Sequence, residues 1–109
     1  MVLWTLQAAG WQGVWIDSYR RCYRTGYWGS EPVTLPAARL RLLEQLREAM
    51  GQRGGAWDVY CWRGSRVLFA ELKRAGRDRI RLGQRRFLEA GLEQQLPLDA
   101  FLIVEWATP

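Results

Sequence analysis

The chain has 109 residues, 49% of them hydrophobic and 25% charged, which suits a single globular domain with one core. It contains no histidine, and its two cysteines have no partners at metal-ligand spacing. Zinc sites of the usual kind, Ser-His-Asp triads and Cys-His pairs are therefore excluded. The net charge of +5 and the pI of about 9.9 favour a polyanionic partner, with nucleic acid the commonest.

The chain carries no apolar run of about 18 residues, the length that a transmembrane helix needs. Its first residues lack the basic and apolar regions of a signal peptide. Free thiols are typical of reducing compartments, so we expect a cytoplasmic protein.

Aromatic residues are concentrated in residues 1–34, which hold four of the seven Trp and three of the four Tyr. With five Gly or Pro residues in the same stretch, this segment is expected to form short strands and turns. Residues 13–17 and 21–25 could pair as a hairpin. The aromatic side chains, with Arg20, Arg21 and Arg24, could stack on bases, but core or subunit interface is the favoured interpretation.

A clearer pattern of elements begins at Leu35. Thr34 is a plausible N-cap, Pro36 lies in the first turn, and apolar residues recur at helical spacing as far as Gly51. Strands are predicted over 56–62 and 67–73, followed by an arginine-rich loop over 74–81. A helix is predicted over 82–96, with Phe87, Leu88 and Leu92 on one face, and residues 100–104 form an apolar run typical of a buried strand.

The two central strands place two carboxylates opposite each other. A two-residue Gly64-Ser65 turn of type II′ fixes the register, in which Asp58 faces Glu71 with Cβ atoms about 5 Å apart. Strand alternation puts Lys73 on the same face as Glu71. Because facing carboxylates repel, a divalent cation that also binds phosphate oxygens would offset the cost.

A solvated Glu-Lys pair on a surface hairpin is the simpler alternative. Three observations weigh against it. Asp is disfavoured within strands, and the strand that carries the Glu-x-Lys pair is otherwise apolar. Lys73 is also the only lysine beside 15 arginines. A position that keeps Lys favours a role for a compact, titratable side chain that orients or deprotonates a water.

These residues resemble the PD-(D/E)XK nuclease superfamily. Trp57-Asp58 followed by Glu71-Leu72-Lys73 matches its Asp…Glu-x-Lys signature, and the segment around Gln84 is similar to the glutamine-bearing helix of VRR-NUC domains. The small single-domain form is similar to archaeal-type Holliday-junction resolvases. The resemblance covers roughly residues 35–109, the predicted nuclease core of a single domain spanning 1–109.

The resemblance implies an α/β fold with a restriction-endonuclease-like core, in which helices flank a mixed sheet. It implies Mg²⁺ or Mn²⁺ held by Asp58 and Glu71, with the Leu72 carbonyl as an added ligand, and Asp58, Glu71, Lys73 and Gln84 as catalytic residues. Relatives carry a further acid on their first helix. Here the candidates Glu44 and Glu48 fall opposite the apolar stripe of the predicted helix, and Asp17 is a third option.

An arginine cluster follows the candidate site and predicts phosphate binding. The leading hypothesis is a structure-specific endonuclease that acts on branched DNA, with a Holliday-junction resolvase preferred. The alternatives are a VRR-NUC-type nickase or single-strand nuclease, a restriction-like nuclease, and a non-catalytic DNA-binding module. A homodimer is expected, because two matched cuts in a junction call for two sites. The cluster consists of Arg74, Arg77, Arg79, Arg81, Arg85 and Arg86.

Overall fold

A computed structural model describes residues 2–18, 20–26, 31–52, 54–76 and 78–107 of the chain. These residues form a mixed α/β fold, in which one six-stranded sheet is flanked by helices. Within the described residues no helix is both long and apolar enough to cross a membrane. The elements are α1 (Val2–Ala8), β1 (Gln12–Asp17), β2 (Cys22–Arg24), β3 (Pro32–Val33), α2 (Ala37–Met50), β4 (Val59–Arg63), β5 (Arg66–Arg74), α3 (Leu82–Glu93), a 3₁₀ turn (Leu98–Ala100) and β6 (Phe101–Trp106).

The strand order in the sheet is β3-β2-β1-β4-β5-β6. The first four pairings along this order are antiparallel, and β6 is parallel to β5. Helix α3 connects these last two strands, as parallel neighbours require. The sheet therefore ends in the two-residue β3 on one side and in the six-residue β6 on the other.

The register predicted for the central hairpin is confirmed. Arg63 pairs with Arg66, and Val59 pairs with Ala70 at the other end of the ladder. Gly64 has a φ of 60°, the left-handed value that a type II′ turn requires at its first central position. One further step along this register places Asp58, the residue before β4, opposite Glu71.

The two faces of the sheet are covered unequally. On one face, α2 and α3 pack over an aromatic core, and the T-shaped contact of Phe69 with Phe87 joins β5 to α3. On the other face, the seven-residue α1 inserts Leu3 against a smaller cluster from β4 and β5. That cluster consists of Val59, Cys61, Leu68 and Ala70.

The N-terminal segment is only partly as predicted. The hairpin is confirmed, with Trp15 opposite Arg24 and Asp17 opposite Cys22, and β1 adds a strand beside β4. Residues 2–8, however, form a helix where short strands and turns were expected. Tyr19, Tyr27 and Trp28 lie outside the described residues.

The start of α2 corrects the predicted cap. The helix begins at Ala37, and Pro36 occupies the N-cap position without a side-chain cap from Thr34. A proline disfavours helical geometry at the residue before it, so Leu35 cannot belong to the helix. Leu35 is instead buried in the larger core.

Two expectations about the C-terminal part were wrong. Helix α3 ends at Glu93, and Leu92 is exposed, because Phe87, Ala90 and Gly91 face the sheet instead. β6 is an edge strand, so its apolar residues are not buried as predicted. The first central strand is also shorter than predicted and begins at Val59.

Candidate active site

Asp58 and Glu71 are held together by reciprocal bonds between side chain and backbone. The Asp58 N–H donates to Oε1 of Glu71 at 3.1 Å, and the Leu72 N–H donates to Oδ2 of Asp58 at 3.0 Å. Each carboxylate thus accepts from the backbone of the opposite strand, at the point where the β4–β5 ladder ends. The predicted juxtaposition of the two acids is therefore present.

Three oxygen donors converge at this point. In an antiparallel ladder the N–H and C=O of one residue point to the same side, so the Leu72 carbonyl also faces the Asp58 side of β5. Within the described part of the chain, Oδ1 of Asp58 accepts no hydrogen bond. Carboxylate and carbonyl oxygens are ligands that Mg²⁺ accepts, so the residues fit a divalent cation.

The cation site would be incomplete from protein atoms alone. Nowhere in the described ranges do three or more carboxylate, Cys or His side chains gather closely enough to hold a metal. A Mg²⁺ ion characteristically uses one or two carboxylates and takes its other ligands from water and substrate phosphate. Two carboxylates alone would leave the remaining ligand positions of such an ion to water and phosphate.

Lys73 and Gln84 complete a buried network around Glu71. The Lys73 ammonium lies 3.1 Å from Oε2 of Glu71 and donates to Oε1 of Gln84 at 2.8 Å. The Gln84 amide nitrogen also donates to Oε2 of Glu71. Glu71 is 2% exposed and Lys73 7%, which rules out the alternative of a solvated surface pair.

Burial and a neighbouring charge destabilise the ionised form of Glu71. Desolvation is the larger cause and the facing Asp58 carboxylate the next, and together they raise the pKa of Glu71 to about 7. Hydrogen bonding and attraction from Lys73 act in the opposite direction. A further positive charge beside the two acids would favour the ionised form, as expected of a cation site.

Gln84 is oriented by the start of α3. Its side-chain oxygen accepts the Arg81 N–H at 2.9 Å, and its backbone carbonyl accepts the Trp57 indole N–H at 2.9 Å. Trp57 thus ties the segment before Asp58 to the helix that carries Gln84. Sequence reasoning missed this role of Trp57.

Two glycines let these segments meet. Gly55 has a φ of 95°, and a Cβ there would lie 2.5 Å from the Gly83 carbonyl oxygen. Only a residue without a side chain allows the chain before Asp58 to approach the first turn of α3 so closely.

A polar depression of about 530 Å³ opens above Lys73. Its other walls are Asp78, Arg79, Arg81 and Gln84. Asp78 was not singled out from the sequence, although it is the only acid in the arginine-rich loop. Its carboxylate accepts the Arg74 N–H at 2.8 Å and so closes that loop.

The predicted arginine cluster is only partly brought together. Arg79 and Arg81 line the depression, and Arg85 and Arg86 are exposed on the first turns of α3. Arg74 differs, because strand alternation turns it to the sheet face opposite Lys73, where its guanidinium lies 5.9 Å from the Trp106 ring centroid. Arg77 lies outside the described residues.

None of the three candidate extra acids lies at the site. Glu44 and Glu48 are exposed on α2, as the helical pattern predicted. Asp17 pairs with Arg24 at 3.4 Å and accepts the Arg20 N–H, which lowers the pKa of Asp17. Side chains alternate between the two faces of β1, and Asp17 points to the face opposite the core residues Val14 and Ile16. Asp17 therefore faces away from Asp58.

Comparison of the chain with known protein families, curated proteins and solved structures finds no match.

Proposed function

We propose that this chain is a metal-dependent DNA endonuclease that hydrolyses phosphodiester bonds at Asp58, Glu71 and Lys73. One observation carries the proposal. Two carboxylates face each other at the end of the β4–β5 ladder, and the only lysine of the chain is held against one of them under an arginine-lined depression. An arrangement that costs electrostatic repulsion and desolvation is typical of a functional site.

Asp58 and Glu71, with the Leu72 carbonyl, would hold Mg²⁺ or Mn²⁺. A divalent cation in such a position polarises the phosphodiester and lowers the pKa of a bound water.

The chain's own residues contribute positioning and charge. Gln84 and Glu71 hold the Lys73 ammonium at the floor of the depression, where it can stabilise negative charge on phosphorus or orient a water. Arg79 and Arg81 extend positive charge along the wall, and Arg85 and Arg86 continue it on the helix. This surface would grip backbone phosphates and would not read base sequence.

The finer assignment rests on the resemblance to the PD-(D/E)XK superfamily. It favours a restriction-endonuclease-like core and a structure-specific enzyme acting on branched DNA, with a Holliday-junction resolvase preferred. The sheet topology, with antiparallel strands around the acids and a parallel strand after α3, is compatible with that core.

A cleavage assay tests the proposal. A labelled four-way junction, a duplex, a fork and a single strand are incubated with the protein in EDTA, in Mg²⁺ and in Mn²⁺, beside the Glu71→Gln variant. We expect cleavage with either metal and none in EDTA or with the variant. Full cleavage in EDTA would overturn the proposed site.

The same assay separates the substrates. Paired cuts on the junction support a resolvase. Nicks that are plentiful on single strands and absent from the junction support a VRR-NUC-type nuclease, and tight binding without any cleavage supports a non-catalytic DNA-binding module.

A further inference from the structure

The two edges of the sheet are built differently. β3 has two residues and begins with Pro32, so it offers almost no backbone for pairing. β6 has six residues, FLIVEW, without proline or lysine and with one acid, Glu105. Natural proteins protect free edges with short strands, proline or charge, and β6 has little such protection.

Exposed apolar side chains gather beside this unprotected edge. The described residues include seven large hydrophobic side chains that are exposed, and five of them lie in the last turn of α3, the 3₁₀ turn and β6, with exposures between 42% and 66%. Exposed apolar side chains concentrated along one edge of a sheet are typical of an interaction site. The five are Leu92, Leu98, Leu102, Ile103 and Trp106.

The side of α3 that carries Leu92 continues the same surface. Gly83 contacts the segment after α2, where the nearest atoms to a Cβ would be those of Gln52 and Gly55. Nine residues at 100° each make two and a half turns, so Leu92 lies on the opposite side of α3 from Gly83. That side points away from α2, which covers the other end of the sheet, and therefore toward the β6 edge.

We propose that β6 pairs antiparallel with β6 of a second copy of this chain, which joins two sheets into one of twelve strands. The Trp106 carbonyl accepts the Ala75 N–H at 2.7 Å, so the backbone of Trp106 faces β5. Alternation then leaves the N–H and C=O groups of Phe101, Ile103 and Glu105 pointing outward. These are the groups that a second β6 would satisfy.

A register centred on Val104 fits the side chains. A two-fold axis through Val104 places Ile103 opposite Glu105 of the partner copy, so that outward backbone groups meet outward backbone groups. On the α1 side of the sheet it sets Val104 against its own copy and Leu102 against Trp106. These are the closer, non-hydrogen-bonded pairs of an antiparallel ladder, and all of them are apolar. No like charges face each other.

The helices fit the same arrangement. Helix α3 spans β5 and β6, so the two copies of α3 would lie two strand spacings apart, roughly 10 Å in a flat sheet. That separation equals the usual distance between packed helices. Leu92, exposed in the single chain, would then be covered by the second α3.

This pairing has a consequence for cleavage, which rests on the proposed function. A two-fold axis perpendicular to the sheet keeps both candidate sites on the same face. Three strand spacings and a two-residue offset separate Glu71 from its copy, roughly 15 Å in a flat sheet. That separation is of the order of the DNA major-groove width, about 12 Å, so the two copies could cut two strands a few base pairs apart.

The oligomeric state of the full chain tests the pairing without any cleavage assay. Light scattering at micromolar concentration should give twice the 12.7 kDa mass of one chain. Ile103→Lys should give a monomer with an unchanged circular dichroism spectrum, while the control Trp4→Lys, an exposed aromatic on α1, should remain a dimer. A monomeric wild-type protein, or an Ile103→Lys variant that stays dimeric, would overturn the proposal.

Cysteine crosslinking tests the register. In a Cys22→Ser background, which leaves only the buried Cys61, Val104→Cys should form an interchain disulfide under mild oxidation, and the control Leu102→Cys should not. A crosslink at Ile103→Cys in place of Val104→Cys would overturn the stated register and the site separation. Glu71→Gln should leave both mass and crosslinking unchanged, so a failed pairing and a failed nuclease assignment are distinguishable.

Discussion

Gln84 and Lys73 are joined by a 2.8 Å hydrogen bond from the lysine ammonium to the side-chain oxygen of the glutamine. The same oxygen accepts the Arg81 N–H, which fixes the orientation of the amide. The amide nitrogen is then turned toward Glu71, to which it donates. The first turn of α3 thereby sets the position of the lysine and of one of the two acids.

Replacing Gln84 should loosen this network. Gln84→Leu removes an acceptor from the buried Lys73 ammonium and a donor from the buried Glu71 carboxylate. Leaving a buried polar group unsatisfied costs about 1–3 kcal/mol. We expect a loss of that size in the free energy of unfolding, measured in urea. Gln45→Leu, at an exposed position on α2, is the control and should change little. Equal effects of the two variants would argue against the network.

Lys73→Arg should preserve DNA binding and remove most cleavage. The ammonium is almost fully buried between Glu71 and Gln84, and the larger planar guanidinium cannot occupy the same space. We expect at least about a hundredfold loss in single-turnover cleavage, the scale on which catalytic groups act. Arg66→Lys, at the exposed hairpin turn, is the control. Wild-type cleavage by Lys73→Arg would show that positive charge alone is sufficient.

The stability of the metal-free protein should depend on pH through Glu71. Its pKa rises from 4.5 to about 7 on folding, so between these values the folded state binds more protons than the unfolded state. Stability from this group is therefore full below pH 4.5 and falls as pH rises toward 7. In EDTA, the wild-type protein should lose stability relative to Glu71→Gln between pH 5 and pH 8. A constant difference between the two would contradict the raised pKa.

Arginines of the depression should determine the salt dependence of DNA binding. Each phosphate contact contributes about 0.9 to the magnitude of the slope when the logarithm of the binding constant is plotted against the logarithm of the salt concentration. Arg79→Gln and Arg81→Gln should each reduce the slope by about that amount, measured by fluorescence anisotropy on one duplex. Arg41→Gln on α2 is the matched control and should leave the slope unchanged. An equal reduction with all three would indicate diffuse attraction by net charge.

The acids on α2 should be dispensable. Glu44 and Glu48 are exposed, and neither is hydrogen-bonded to a residue of the site in the part of the chain that the structure describes. We expect Glu44→Ala and Glu48→Ala to cleave within a few-fold of the wild-type rate. A hundredfold loss in either variant would mean that α2 approaches the site when DNA is bound.

The site could be predicted to the extent that short-range rules determine it. The Gly64-Ser65 turn fixes a register, and the register alone places Asp58 against Glu71 and turns Lys73 to the same face. The side-chain partners of Glu71 could not be predicted in the same way, because they depend on how α3 lies across β5. The Trp57 contact with the start of α3 likewise joins residues 27 positions apart.

The errors in the fold have the same origin. An apolar run such as 101–104 has the same sequence pattern in a central strand and in an edge strand, because its burial depends on the strands beside it. Leu92 fitted the apolar stripe of a longer helix, but α3 ends at Glu93 and turns Gly91 to the sheet instead. α1 has seven residues and no acid in its first turn, so it offers almost no signal for a helix start.

The contact between Gly55 and Gly83 makes the proposed site sensitive to side-chain volume as well as to charge. A methyl group at Gly55 would force α3 outward, and Gln84, one residue beyond the contact, would move with it. Lys73 would then lose the anchor that keeps its ammonium beside Glu71. A mutational scan should therefore find two kinds of sensitive position in this region: the charged residues of the proposed site, and the glycines whose lack of a side chain allows α3 to approach it.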